Sequence, residues 1–163
     1  MEWWKDALIY QIYPRSFQDS NGDGIGDIPG IISRLDHLQA LGVGAVWLGP
    51  VYRSPGVDNG YDVSDYREID PVYGAMEDME RLIAEAGKRG IRILMDLIIN
   101  HTSTDHYWFR WGRDRTSPYA DYYYWSRGGA DGSLPNNWTG FFGGDCWEFD
   151  PERCEYYLHL FDK

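Results

Sequence analysis

The chain has 163 residues, with 26 Asp+Glu against 15 Lys+Arg, and carries a formal net charge of −11. Its 43% hydrophobic content excludes disorder, and its charge excludes nucleic acid and an anionic membrane surface as partners. No run reaches about 18 apolar residues, so no membrane span is predicted.

The start, MEWWKDALIYQIYP, lacks a basic stretch followed by an apolar one, so no signal peptide is read and a cytoplasmic location is expected. Ala7–Tyr13 reads as a short strand stopped by Pro14. After a Gly/Asp loop, Ile28, Ile31, Ile32, Leu35, Leu38 and Leu41 share one helical face, with Asp27 as N-cap, Pro29 in the first turn and Gly42 at the end. Ala45–Leu48 is a second strand, closed by Gly49-Pro50. A long polar loop leads to a second helix through Met76, Met79, Leu82, Ile83 and Ala86, ending at Gly90. Ile91–Ile99 is a third, almost continuously apolar strand.

Apolar strands alternating with helices indicate a parallel sheet in an α/β fold. An open doubly wound sheet and a closed eight-strand barrel both fit this pattern. The long Asp-, Asn- and Tyr-rich loops after the strands point to the functional face of a barrel. Beyond His101 the character changes. Seventeen of the 27 aromatic residues lie between Tyr107 and Phe161, among Gly-Gly and Pro-Asn-Asn turns. This reads as an irregular insertion, with Glu155–Phe161 as a strand candidate. Cys146 and Cys154 are expected to be free thiols, having no zinc or redox spacing.

Three constellations could carry chemistry. In Asp19–Asp27, the Asp19, Asp23 and Asp27 carboxylates, the Asn21 amide and the Ile25 carbonyl alternate with glycines, an oxygen-rich arrangement suited to a hard cation such as calcium. A solvated turn capped by Asp27 is the alternative. In Asp96–His101 (DLIINH), a carboxylate sits within an apolar run and needs a partner, while Asn100 and His101 lie where the strand leaves the sheet. In Asn59–Tyr66 (NGYDVSDY), Tyr61 beside Asp62 pairs a ring with a carboxylate, the way proteins cover a sugar's C–H face and accept its hydroxyls. A packed Tyr with a turn-forming Asp is the plainer reading.

Together with Ala7–Phe17 (ALIYQIYPRSF), Gly44–Pro50 (GAVWLGP), Pro135–Trp138 (PNNW) and Tyr156–Lys163 (YYLHLFDK), these segments resemble the alpha-amylase family of glycoside hydrolases, closely its oligo-1,6-glucosidase/alpha-glucosidase branch. The resemblance implies the N-terminal part of a TIM (β/α)8 barrel over 1–101, about three strands, and most of a subdomain inserted after the third strand over 102–163. It implies retaining hydrolysis of alpha-glucosidic bonds at the non-reducing end of short oligosaccharides. Tyr61 would stack on the terminal glucose, Asp62 hold its outer hydroxyls, His101 donate to the same sugar and Asp96 orient an Arg on the next strand. Asp19, Asn21, Asp23, Ile25 and Asp27 would bind calcium.

The family's nucleophile, acid/base and stabilising carboxylates follow later strands and have no counterpart among the 163 residues, so these residues alone are expected to be inactive. Alternatives are a trehalose synthase or sucrose isomerase type of transglycosylase, or a non-catalytic transporter-associated relative.

Overall fold

The structure, a computed structural model, describes residues 2–162. It divides into two compact units: the chain up to Arg53 with Asp65–Ile99, and Ser54–Ser64 with the residues from Asn100 onward. The loop 54–64 and residues 100–101 group with the later residues. One cause is a backbone tie, the Ser103 N–H donating to the Val63 carbonyl at 2.9 Å.

The first unit holds β1 (Leu8–Ile12), β2 (Val43–Leu48) and β5 (Arg92–Met95), which form a parallel sheet in the order β1-β2-β5. Between them run α1 (Pro14–Phe17), α2 (Ile28–Ser33) and α3 (Leu35–Ala40), then the hairpin strands β3 (Tyr52–Arg53) and β4 (Asp65–Ile69), then α4 (Met76–Lys88). Strand, helix and strand recur as their periodicities require. Ile28, Ile31, Leu35, Leu38, Val46, Leu48 and Leu82 are fully buried in one core.

Three details differ from the sequence reading. The helix expected over 28–41 is broken at Arg34 (φ −107°, ψ 3°), because the Ser33 hydroxyl donates to the Gly30 carbonyl at 2.6 Å and competes with the helical ladder. The third strand stops at Met95, well short of Ile99. Its partner Leu48 is the last residue of β2, and Pro50 beyond it has no N–H to continue a ladder. Leu97 and Ile99 are exposed as a result. The polar loop expected between the second strand and second helix contains the hairpin of β3 and β4, whose first strand of two residues carries too little pattern to show.

The second unit contains α5 (Tyr107–Gly112) and an antiparallel sheet of β6 (Trp125–Ser126), β7 (Trp147–Asp150) and β8 (Glu155–Leu158), in the order β6-β8-β7. Phe109 of α5 is buried against Tyr123, Trp125 and Tyr157. Cys146 is buried and Cys154 exposed, and both are free. Sequence pattern does not reveal the ionic centre of this unit. Glu155 accepts from Arg153 at 2.7 Å and faces Arg115 at 3.1 Å and Arg127 at 3.7 Å. Side-chain exposure is only 9% for Arg153 and 10% for Glu155. The Arg153 guanidinium also lies 4.4 Å over the Trp125 ring and donates to the Gly112 and Ala120 carbonyls. Among the described residues, no helix is long and apolar enough to cross a membrane.

The Arg153 hydrogen bond, reinforced by the neighbouring guanidinium charges, holds the Glu155 carboxyl below its ordinary value of 4.5. A depressed acid contributes stability that is present above its unfolded value and lost as pH falls through the folded one. Arg153→Met is therefore expected to destabilise the fold by about 3 kcal/mol at pH 7, as breaking a buried ion pair does. The deficit should shrink below pH 4.5 as Glu155 takes up its proton. Urea melts followed by tryptophan fluorescence at pH 7 and pH 3 check this; an equal deficit at both would contradict it.

Candidate functional site

The site begins with a turn. Tyr61 N–H donates to the Asp58 carbonyl at 2.9 Å, and between them Asn59 (φ 52°) and Gly60 (φ 97°) take left-handed backbone. Gly carries no Cβ to clash there, and Asn tolerates the region better than other side chains. Asp62 then turns back on the loop. Its Oδ1 accepts from Ser54 Oγ at 2.7 Å and Asp58 N–H at 3.1 Å, and its Oδ2 from Val57 N–H at 2.9 Å.

His101 meets this turn within the same unit. Its Nε2 donates to the Tyr61 carbonyl at 3.2 Å, and Nδ1 lies 3.3 Å from Asn100 Oδ1. Its ring is 4.7 Å from that of Phe161, tilted by 43°. Phe161 stacks on Phe141 at 5.1 Å and meets Phe142 edge-on at 6.0 Å, and both of these rings are largely exposed. His159 Nδ1–H donates to the Phe161 carbonyl at 2.8 Å, which fixes the segment.

Asp58 completes the group. Burial, then the nearby Asp62 and Asp162 carboxylates, push its carboxyl above the ordinary 3.8, while the His101 ring opposes them. Unlike Asp62, the Asp58 carboxylate accepts no hydrogen bond from the described residues. A half-buried carboxylate with open oxygens, an imidazole and phenyl faces thus stand together. Such a set can accept two hydroxyls and cover an apolar C–H face.

Of the residues singled out from sequence, Tyr61, Asp62 and His101 come together. Asp96 belongs to the first unit, where the Trp47 indole Nε1 donates to its Oδ1 at 2.6 Å. Asp58 and Phe161 escaped the sequence reading. The signal for Asp58 was its place opening the Asn59-Gly60 turn; for the phenylalanines it was large rings in a glycine-flanked Phe141-Phe142 pair.

Residues 11–163 match the alpha amylase, catalytic domain family. The chain belongs to that family. Its parallel strands are the N-terminal part of the family's barrel. It is 58% identical over 162 residues to the oligo-1,6-glucosidase of Parageobacillus thermoglucosidasius, covering 99% of this chain and 29% of that protein. It is 54% identical over 161 residues to the trehalose-6-phosphate hydrolase of Bacillus subtilis (strain 168), covering 98% and 29%. Among solved structures, a mutant of MutB in complex with the substrate sucrose aligns with a TM-score of 0.96 at 54% identity, covering 100% of this chain and 29% of that one. The chain thus spans about 29% of the length of the relatives it matches.

In this alpha-amylase-family chain, Asp58 bears the electrostatic cost of the site. A carboxyl whose folded value is raised loses stability as pH rises from its unfolded value through its folded one. Asp58→Asn is therefore expected to raise the melting temperature at pH 7, with the gain vanishing at pH 3, below the ordinary 3.8, where Asp58 is protonated in both states. Asp62→Asn should lower the Asp58 titration midpoint, and His101→Ala should raise it further. Carboxyl-carbon NMR titration reads both shifts, and a midpoint indifferent to the two changes would rule the coupling out.

Proposed function

We propose that this chain carries the glucosyl-recognition part of an enzyme that hydrolyses alpha-glucosidic bonds of short oligosaccharides from the non-reducing end, with retention. The observation that carries the reading is the convergence of Asp58, His101 and Phe161 at the Asp58–Tyr61 turn. Asp58 accepts a pair of adjacent sugar hydroxyls, His101 adds its imidazole edge, and Tyr61 and Phe161 cover the C–H faces. Asp62 acts through the loop, holding Ser54, Val57 and Asp58 in place with its three hydrogen bonds.

The two carboxylates that retaining cleavage requires, about 5–5.5 Å apart, come from residues other than these 163. Relatives as different as an oligo-1,6-glucosidase and a trehalose-6-phosphate hydrolase are both more than half identical to this chain. What such enzymes share is the glucosyl unit, which supports placing its recognition here. A second reading, glucosyl transfer or isomerisation, is favoured by the likeness to MutB with sucrose. It uses the same glucosyl contacts and differs in what receives the sugar.

A chimera tests this. Residues 1–163 replace the matching stretch of the Parageobacillus thermoglucosidasius oligo-1,6-glucosidase, and the product is assayed on isomaltose. The chimera should release glucose, first as the α-anomer. Asp58→Asn within it should cut kcat/KM by about a hundredfold, the worth of roughly 2–3 kcal/mol of charge-assisted hydrogen bonding. The 163-residue chain alone should release none. Full activity of the Asp58→Asn chimera would refute the assignment.

We also propose calcium as a structural ion in the Asp19–Asp27 loop. The loop is rich in hard oxygens. Asp19 accepts the amides of Asn21, Gly22 and Gly24 at 2.7–3.0 Å, and these bonds hold its carboxyl below the ordinary range. Asn21 Nδ2 donates to Asp23 Oδ2 at 3.1 Å. Asp27 is already engaged, its Oδ1 accepting from Gly30 N–H at 2.6 Å and its Oδ2 from Ser20 N–H and Oγ. Gly30 is what lets that cap close, since a Cβ there would lie 2.0 Å from the Gln18 carbonyl oxygen. Among the described residues, no three acidic, His or Cys side chains converge as ligands. Asp19, Asn21, Asp23 and the Ile25 carbonyl would hold the ion, with Asp27 using its remaining lone pairs. Calcium at a hundredfold excess over its dissociation constant should stabilise the fold by about 2.7 kcal/mol, and Asp23→Ala should abolish the gain. A melting temperature unmoved by calcium or chelator would dismiss the ion.

A further inference from the structure

The chain concentrates far more aromatic surface in its second unit than that unit's core uses. Phe109, Trp125 and Tyr157 fill the interior, yet a second cluster stands on the surface around α5. Tyr107 and Trp111 are four residues apart and share one helical face. Tyr119 stands between them, its ring 5.7 Å from Tyr107 at 84° and 6.0 Å from Trp111 at 74°. Tyr122 meets Tyr119 at 5.1 Å and 77°, and Trp108 at 5.6 Å and 71°. Every one of these contacts is edge-to-face. Such packing locks the rings against one another while leaving outward ring faces uncovered. Trp111 is 62% exposed, Tyr122 57% and Tyr107 45%.

We propose that this platform is a second carbohydrate-binding surface, taking an α-linked glucan chain on the open faces of Trp111 and Tyr122, apart from the Asp58–His101 group. The identification of the sugar as a glucan rests on the glucosidase reading above. The chemistry of the surface selects the ligand class. A pyranose offers C–H faces to rings and hydroxyls at its rim, and tyrosine side chains present both a ring and a hydroxyl that donates and accepts. An anionic polymer would be repelled by the net charge of −11. A docking protein helix needs aliphatic knobs, and among Tyr107–Gly112 no aliphatic side chain is present to form a matching groove. Rigid, pre-ordered rings also lower the conformational cost of holding a flexible polysaccharide.

The experiment is affinity electrophoresis of the chain through gels containing dextran or soluble starch, with calorimetry against maltoheptaose. Wild-type chain should be retarded and bind maltoheptaose. Trp111→Ala and Tyr122→Ser, both at exposed positions, should each weaken binding by about tenfold, as loss of a stacking ring does. Trp111→Phe, which keeps a ring, should restore most of it, and near-ultraviolet circular dichroism should show the fold unchanged. No retardation of the wild type, or retardation that survives both platform substitutions, overturns the proposal. If His101→Ala alone abolishes binding, the glucan sits at the Asp58–His101 group; the platform falls while the glucosyl reading stands. Failure of the Asp58→Asn chimera to lose activity strikes that reading instead. Should sizing chromatography show an oligomer that Trp111→Ala makes monomeric, a second copy covers the face and the proposal is overturned.

Discussion

Asp62 brings two carboxylate oxygens to three donors: the Ser54 hydroxyl and the amides of Val57 and Asp58. That bonding draws a stretch of loop with no regular ladder of its own into one shape. It places the Asp58–Tyr61 turn, and with it the Tyr61 carbonyl that receives His101 Nε2. Charge-assisted bonds of this kind are about twice as strong as neutral ones. The loop therefore owes its order to a single carboxylate, and the placement of Asp58 depends on it. A negative group beside another raises the cost of ionising the second, so the same interaction that positions Asp58 also lifts its titration.

How much of this was legible in the chain follows from the range over which each feature is encoded. The alternation of strands β1, β2 and β5 with apolar-faced helices shows at short range, because a period of two or 3.6 needs only neighbours. Tyr61 and His101 stand out in the sequence because each sits in a recognisable run. The end of β5 at Met95 was not legible, since it is set by where its partner β2 meets Pro50, more than forty residues earlier. The break at Arg34 turns on one hydroxyl, Ser33, choosing a carbonyl over water. The Asp58/Asp62 exchange of roles was hidden for a different reason. Two acidic residues flank the same turn, and only hydrogen-bond geometry tells which one spends its oxygens on backbone.

The inserted unit shows the same limit in its ionic centre. Arg113, Arg115, Arg127, Arg153, Asp150 and Glu155 are scattered over about forty residues, and nothing in their spacing predicts three guanidinium groups around one carboxylate. Their role follows from the aromatic excess. Large rings pack with gaps at their edges, and a guanidinium, flat and with five donors, can lie on a ring while satisfying carbonyls at its rim. Arg153 does both, over Trp125 and toward Gly112 and Ala120.

These arrangements suggest a way to sort the acidic residues of this chain by purpose. A carboxylate that accepts several backbone amides is architectural: Asp19 winds its loop, Asp27 caps α2, and Asp62 shapes the site loop. A carboxylate answered by guanidinium groups, such as Glu155, is a fastening between elements. Asp58 is neither. It is half-buried, raised by its surroundings and given no donor among the described residues, a state that costs stability and is retained only where something else is to be gained. A neutral, hydroxyl-rich ligand supplies the missing donors without bringing a charge into a chain that already carries −11. The folded chain thus leaves an electrostatic deficit at Asp58 that the proposed sugar ligand would relieve.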